Sequence, residues 1–232
     1  KIPLNLQKKK SLIVTENCHE VFYELHFKIL EIENQKMKKS QVHSSASVHP
    51  SSHVDEIGVK IGANTIIGPN CTILKGTEIT KNCKINSNVV LGEDGYEVRI
   101  INGKKKIIPH IGGILIKDNV DIQSGTIVLK PIFQTKTVVG QSVKIGSGAI
   151  ISHGVRIKQN AQICASSVIC GNVEIGNNVY IGPNSTISNN LKIGNRAKVT
   201  LGSTVVSNIP HSQTYTGYFS IEHEKFLRKF IK

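Results

Sequence analysis

The fold is decided by the stretch VVGQSVKIGSGAIISHGVRIKQNAQI, residues 138–163, in which an aliphatic residue returns at every sixth position. The same spacing continues without a break to Val205, and an earlier block and a short lead-in repeat it. The positions are Val139, Ile145, Ile151, Ile157, Ile163, Ile169, Ile175, Ile181, Ile187, Ile193, Val199 and Val205, then Ile61, Ile67, Ile73, Ile79, Ile85 and Leu91, then Val42, Val48 and Val54.

A period of six matches neither the 3.6 residues of an α-helix turn nor the two-residue alternation of a strand. It predicts a parallel β-helix of triangular cross-section, in which each side of a coil is one hexapeptide. The large aliphatic residue fills the interior, and the small or β-branched residue two places earlier points into the same tube. Glycine often follows the aliphatic residue, and we expect it at a corner where unusual backbone angles are needed.

Three regions follow from this pattern. Residues 1–40 lack the period, and within them ENCHEVFYELHFKILEIENQK predicts a helix with Val21, Leu25, Phe27 and Leu30 on one side. Residues 41–208 form the predicted β-helix, with a loop at 92–113 that leaves the coil. Residues 209–232 form a C-terminal extension that ends in a short basic amphipathic helix.

The composition limits the partners and the compartment. The net charge of +13 favours phosphate-bearing ligands, while no platform of interleaved basic and aromatic residues indicates nucleic-acid binding. An odd count of five cysteines argues against a disulfide framework and fits the cytoplasm. No apolar run approaches the length of a membrane span. Three histidines of the first coil, His43, His49 and His53, are more simply exposed side chains than a metal site, so we expect no metal.

The chain resembles the UDP-3-O-acylglucosamine N-acyltransferases of lipid A synthesis and related N-acyltransferases acting on nucleotide-linked amino sugars. The matching segments are LIVTENCHEVFYEL at 12–25, VVLGEDGYE at 89–97, IPHIGGILIKDNVDIQSGT at 108–126, VVGQSVKIGSGAIISHGVRI at 138–157 and TYTGYFSIEHEKFLRKF at 214–230. The resemblance implies a left-handed coil and a homotrimer with its sites between subunits. It also implies an acyl-CoA or acyl-carrier-protein thioester as cosubstrate, with no bound cofactor.

The resemblance identifies His153 as the general base, against the alternative of a solvated surface histidine. A backbone N–H near Gly171, one coil later at the same phase, is the expected oxyanion donor. The remaining expected contacts are Asp94, Gly95 and Tyr96 with the sugar or its nucleotide, His110 with the acceptor, Asn190 in place of a phosphate-contacting histidine, and Lys225, Arg228 and Lys229 with the donor. A turn is the alternative for Asp94 and Gly95, and loop packing is the alternative for His110.

Three functions stay open at this point. The first is N-acylation of a nucleotide-linked amino sugar for surface polysaccharide, with a 3-hydroxyacyl group as the expected acyl group. The second is the lipid A N-acyltransferase reaction, and the third is a non-catalytic β-helix that acts as a scaffold. The sequence departs from the family where Gly146 and Ser147 replace an Asp-Asn pair, Gly154 replaces an asparagine and Asn190 replaces a histidine. These departures favour the first function over the second and keep the third open.

Overall fold

The computed structural model describes residues 14–217 and Lys225, and it divides into two compact units. The first unit contains residues up to 37 together with Tyr96–Pro109, and the second contains Lys38–Gly95 and the residues from His110 onward. The helix α1 covers Cys18–Lys36. The strands are β1 Gln41–Val42, β2 Ser47–Val48, β3 His53–Val54, β4 Lys60–Ile61, β5 Ile66–Ile67, β6 Thr72–Ile73, β7 Thr77–Ile79, β8 Lys84–Ile85, β9 Val90–Glu93, β10 Val98–Ile101, β11 Lys104–Ile107, β12 Gly113–Ile116, β13 Asp121–Ile122, β14 Ile127–Leu129, β15 Lys136–Val139, β16 Lys144–Ile145, β17 Ile150–Ile151, β18 Arg156–Ile157, β19 Gln162–Ile163, β20 Val168–Ile169, β21 Glu174–Ile175, β22 Tyr180–Ile181, β23 Thr186–Ile187, β24 Lys192–Ile193, β25 Lys198–Val199, β26 Thr204–Val205 and β27 Thr214–Tyr215.

Three parallel sheets build the second unit, and consecutive strands of the chain fall on consecutive sheets. Face one has the strand order β1-β4-β7-β12-β15-β18-β21-β24. Face two has the order β2-β5-β8-β13-β16-β19-β22-β25-β27, and face three has the order β3-β6-β9-β14-β17-β20-β23-β26. This succession is a parallel β-helix with a triangular coil, as the six-residue period predicts.

The interior of the coil is filled by the two predicted sets of residues. Every periodic aliphatic residue from Ile61 to Val205 is buried. The residues two places earlier are also buried from Thr137 to Ser203, apart from the partly exposed Leu191. Three of the buried hydroxyls among them donate to a backbone carbonyl, Thr137 to Leu129, Ser167 to Gly182 and Ser185 to Thr200, so these donors are paired.

The glycines that follow the aliphatic residues correct one expectation. The left-handed backbone occurs instead three residues after the aliphatic residue, where Asn160, Asn172 and Asn178 have φ of 58°, 59° and 56°. Gly146 and most of its counterparts lack a positive φ, and they are small for another reason. A β-carbon on Gly146 would lie 2.5 Å from the backbone nitrogen of Ala165 in the next coil, so close stacking of coils requires the glycine.

The first unit consists of α1 and an antiparallel hairpin of β10 and β11. The helix begins at Asn17, whose side chain accepts a hydrogen bond from the N–H of Glu20. Tyr23 and His26 are its buried residues, whereas Leu25 of the predicted apolar side is 41% exposed. His26 donates a 2.7 Å hydrogen bond from Nε2 to the carbonyl of Pro109, which ties the helix to the end of the hairpin segment.

The structure places two boundaries differently from the sequence prediction. The coil continues past residue 208, because β27 pairs with β25 in face two. The predicted loop 92–113 is reduced, because β9 extends to Glu93, β12 begins at Gly113 and the hairpin lies between them. The predicted C-terminal helix lies outside the described residues apart from Lys225, which is helical.

Candidate active site

One corner of the β-helix collects most of the predicted site residues. The four neighbouring strands β9, β14, β17 and β20 of face three all end at this corner before the chain turns onto face one. Their ends carry Asp94 and Gly95, Lys130, His153 and Gly171, in that order. The stacking of coils therefore brings together residues that are far apart in the sequence, and the corner is the candidate active site.

The backbone around His153 is fixed on both sides. Its carbonyl accepts a 2.9 Å hydrogen bond from the N–H of Asn172 in the next coil. The following N–H, of Gly154, donates to the hydroxyl of Thr137 in the previous coil at 2.9 Å. Gly154 has a φ of +70°, and a β-carbon there would lie 2.3 Å from Oδ1 of Asn172, so a larger residue at this turn requires the Asn172 side chain to move.

The His153 ring lies directly over Gly171. A β-carbon on Gly171 would lie 2.4 Å from Cε1 and 2.5 Å from Nε2 of that ring. Gly171 has an ordinary φ, so it is glycine because of this close approach rather than because of its conformation. The half-buried ring accepts no hydrogen bond from a side chain in the described part of the chain, and the N–H of Gly171 likewise has no partner there.

A partly buried ion pair connects two strand ends at this corner. Lys130 Nζ lies 2.9 Å from Oδ1 of Asp94, and the lysine side chain is 10% exposed while that of the aspartate is 33% exposed. The other oxygen of Asp94 accepts from the backbone N–H of His110 at 3.2 Å. Asp94 thus connects Lys130 in the coil to His110, where the chain returns to the coil. We expect this pair to be worth more than a surface ion pair, because one partner is desolvated.

His110 and His153 face each other across Gly95. Their ring centroids are 6.1 Å apart with an interplanar angle of 70°. A β-carbon on Gly95 would lie 2.9 Å from Nε2 of His110 and 3.6 Å from Cδ2 of His153. The buried Gly95 therefore occupies the space where a larger residue would push the two rings apart.

Of the remaining acceptor contacts, Asn190 lies at this corner, one coil beyond Gly171, and its N–H donates to the carbonyl of Gly171 at 2.9 Å. Tyr96 is 87% exposed and belongs to the first unit. Asn190 has a φ of 62° and accepts a 3.3 Å hydrogen bond from the side chain of Asn172, so the corner backbone alone gives a reason for asparagine there. Gly146 and Ser147 follow β16 on face two, one side of the triangle away from His153.

The structure describes one of the three predicted donor-binding residues, the exposed Lys225. Arg228 and Lys229 lie outside the described residues. Within the described part of the chain, no three His, Cys, Asp or Glu side chains are grouped so as to hold a metal ion. The helix that is described is too polar to cross a lipid bilayer.

Lys130 is the residue of this corner that sequence reasoning missed. It lies in KPIFQTK, where the six-residue period slips, and the sequence there predicts a solvent-exposed lysine. The signal that identifies it is structural, because a burial of this degree needs a partner, and Asp94 is the partner.

Comparisons with known proteins match parts of the chain to hexapeptide repeats. The model of the bacterial transferase hexapeptide, six repeats, matches residues 58–93 and 154–189. The model of the hexapeptide repeat of succinyl-transferase matches residues 136–170, which include His153. With the topology above, these matches define a left-handed parallel β-helix of the kind found in hexapeptide-repeat acyltransferases.

The particular relatives are sugar acyltransferases. UDP-3-O-acylglucosamine N-acyltransferase 1 of Francisella tularensis subsp. holarctica is 37% identical over 100 residues, which are 42% of this chain and 28% of that protein. UDP-3-O-acylglucosamine N-acyltransferase of Bordetella pertussis is 28% identical over 222 residues, 81% of this chain and 61% of that protein. The chain thus matches less than two thirds of the length of either relative.

Solved structures agree on the fold. UDP-N-acetylglucosamine acyltransferase of Campylobacter jejuni superposes with a TM-score of 0.62 at 18% identity, covering 83% of this chain and 79% of that one. The Arabidopsis enzyme of the same name gives a TM-score of 0.54 at 19% identity, covering 81% of this chain and 76% of that one. At these identities the similarity establishes the β-helix alone.

Proposed function

We propose that this chain is the acyl-transfer part of a sugar N-acyltransferase. It moves an acyl group, most simply a 3-hydroxyacyl group, from a CoA or acyl-carrier-protein thioester to the amino group of a nucleotide-linked amino sugar. The product serves surface polysaccharide synthesis. The observation that carries the proposal is the His153 ring seated on Gly171, in a repeat that matches the transferase hexapeptide models.

His153 acts as the general base in this proposal. The amine attacks the thioester carbonyl, a C–N bond forms, and the imidazole takes the proton that the amine loses. The C–S bond then breaks, and the thiolate leaves and receives that proton. The N–H of Gly171, which has no partner in the described residues, stabilises the charge that develops on the carbonyl oxygen.

The acceptor sugar binds on the Asp94 side of the corner. The carboxylate of Asp94 and the ring of His110 are polar groups held in place beside the base. Tyr96, Gly95 and Asn190 remain proposed contacts to the sugar or its nucleotide. Lys225, Arg228 and Lys229 remain proposed contacts to the donor, since cations complement its phosphates.

A homotrimer is the proposed assembly, and the outward row of face three supports it. Val90, Ile127, Ile150 and Val168 follow one another along the middle of this face, whereas the outward rows of faces one and two carry lysines, glutamates and an aspartate. An uncharged branched row of this kind favours burial against another copy. Because β17 carries Ile150 directly into the His153 corner, such packing places a neighbouring chain beside the site.

The cytoplasm is the proposed compartment. All five cysteines are free thiols, and two of them, Cys71 and Cys83, are buried in the coil. Free buried thiols persist in a reducing compartment. Thioester donors are also made there, which agrees with the proposed reaction.

A second acceptor has an observation in its favour. The similar proteins from Francisella and Bordetella are named as enzymes acting on UDP-3-O-acylglucosamine. The alternative is therefore the lipid A precursor, a sugar that already carries an ester-linked acyl chain. We favour the simpler nucleotide-linked sugar because Asn190 has a structural role at its corner and takes the place of a phosphate-contacting histidine.

Direct competition tests the proposal. Equal concentrations of a UDP- or dTDP-linked amino sugar and of UDP-3-O-acylglucosamine are incubated with the protein and an acyl-thioester, and products are measured by mass spectrometry. We expect the nucleotide-linked amino sugar to be N-acylated preferentially. Preferential acylation of the precursor would restore the lipid A assignment, and no product with a range of CoA and carrier-protein donors would leave the scaffold reading.

A further inference from the structure

A basic groove crosses face one, one side of the triangle away from His153. Its volume is about 480 Å³, and its floor is formed by the outward side chains of Leu115 and Val138. Lys117, Arg156 and Lys158 line it, and no carboxylate does. None of the three cations forms a salt bridge within the described residues, unlike Lys136 and Lys144 nearby, which pair with Glu78 and Asp121.

Two residues that line the same groove have backbone N–H groups without a partner among the described residues. The N–H groups of Gln141 and Gln159 stand at the corner between faces one and two in consecutive coils, and neither makes a hydrogen bond to a described residue. Three other coils close the equivalent N–H at this corner with a side chain of the next coil, whereas the N–H groups of Ala63 and Asp118 also have no partner among the described residues. The N–H of Asn177 donates to Asn195 at 2.9 Å, that of Asn195 donates to His211 at 2.8 Å, and that of Lys81 donates to Asp118 at 3.3 Å.

We infer that this groove is an anion site for the phosphate groups of the acyl donor. Three cations and two stacked backbone N–H groups are the chemistry that recognises a phosphate or diphosphate. The inference rests on the proposed function, because both proposed substrates bear phosphates and the site has to be assigned to one of them.

The position of the groove favours the donor. Gln159 lies one full side of the triangular coil from His153 and Arg156 lies in the middle of that side, so the groove extends away from the proposed base along face one. In a nucleotide-linked sugar the diphosphate is only a few bonds from the amine that must reach His153. In CoA or a carrier protein the long pantetheine arm separates the phosphate from the thioester. The groove therefore fits the phosphates of a pantetheine-bearing donor.

A proline substitution can remove one of the two backbone N–H groups of the groove. Pro69 follows Gly68 and Pro183 follows Gly182 at the same place in the hexapeptide as Gln141, which follows Gly140, although they lie at the corner between faces two and three. Gln141→Pro therefore deletes an N–H at a place in the repeat where another corner of the coil accepts proline. Ser147→Pro, after Gly146, is the matched control, because it makes the same change at the corner between faces two and three.

The contribution of the cations in the groove is tested with Arg156→Gln. Lys198→Gln, on face two, is its control. Calorimetric titration with CoA, UDP and inorganic pyrophosphate measures binding to each variant and to the unaltered chain. We expect Gln141→Pro and Arg156→Gln each to weaken CoA and pyrophosphate binding about tenfold, as for loss of one charge-assisted hydrogen bond. Ser147→Pro and Lys198→Gln should leave both unchanged, and UDP binding should be unaffected throughout.

The other outcomes overturn the inference. Unchanged CoA binding in both groove variants, or no CoA binding to the unaltered chain, eliminates the site. Loss of UDP binding in place of CoA binding assigns the groove to the acceptor. If Gln141→Pro does not fold, Arg156→Gln and Lys158→Gln decide the question. Acyl-transfer assays separate this inference from the proposed function: CoA binding in the groove without transfer to any amino sugar refutes only the function, and transfer with an unchanged donor KM in Gln141→Pro refutes only the site.

Discussion

Gly171 leaves the space that the ring of His153 occupies in the preceding coil. A β-carbon at residue 171 would lie 2.5 Å from Nε2 of that ring, closer than any non-bonded contact allows. The position of the proposed base therefore depends on a residue that is eighteen places later in the chain and one coil away. This pairing links the six-residue repeat to the chemistry of the corner.

Gly171→Ala should displace the His153 ring without unfolding the coil. The contacting atoms are the end of a side chain, so the ring rotates away and the stability loss stays within about 1 kcal/mol. A shift of about 1 Å in a reacting group lowers kcat by about 10²-fold. Steady-state kinetics and thermal unfolding measure the two effects. Asn189→Ala, one coil further in the same column, is the control, and equal activity of both variants would argue against the pairing.

Lys130→Met should weaken the acceptor side of the corner. It leaves the carboxylate of Asp94 without its buried partner, which we expect to cost about 1–3 kcal/mol of stability. The acceptor KM should rise more than the donor KM, because the segment that carries His110 is held through Asp94. Denaturant unfolding of Lys130→Met, Asp94→Asn and the double variant gives the coupling between them. Additive effects would show that the pair is not coupled.

Ile150→Lys should break the proposed trimer. A charge in the middle of the apolar row on face three opposes burial against another copy. Light scattering should report a trimer for the unaltered chain and a smaller species for the variant. Gln162→Lys on face two is the control and should stay trimeric. A stable monomer of the unaltered chain at micromolar concentration would refute the assembly.

Thiol reactivity should separate the cysteines by burial. Cys71 and Cys83 are each 1% exposed, and burial raises the pKa of the Cys83 thiol, as it does that of Cys170. Alkylation of the native protein should label the exposed Cys18 first and reach Cys71 and Cys83 only in denaturant. The unfolded chain ionises Cys83 at a lower pH than the folded chain does. The stability due to this group is therefore full below the ordinary thiol pKa and is lost as the pH rises through the higher folded value. Rapid native labelling of Cys83 would contradict this burial.

The repeat made the coil predictable, because a buried aliphatic residue such as Ile145 or Ile151 recurs with a period that one type of fold satisfies. The outward position of His153 was predictable for the same reason, because His153 follows the inward Ile151 by two residues. Pairing across coils was not predictable in detail. Lys130 follows a slip in the period, and nothing local shows that Asp94 lies beside it.

The glycine expectation failed for a physical reason. Sequence alone does not distinguish a glycine needed for a positive φ from one needed for close approach. At Gly146 the backbone of the next coil excludes a side chain, while left-handed positions such as Asn160 are filled by asparagine. The same distinction applies to Asn190, whose left-handed backbone conformation was not visible from the sequence.

The rate of acyl transfer by His153→Ala tests the central claim most directly. Release of free thiol from an acyl-thioester, in the presence of a nucleotide-linked amino sugar, gives kcat for the variant and the unaltered chain. Loss of a general base should lower kcat by about 10²- to 10⁴-fold, while circular dichroism and thermal unfolding remain close to those of the unaltered chain. A well-folded His153→Ala variant with full activity would contradict the account.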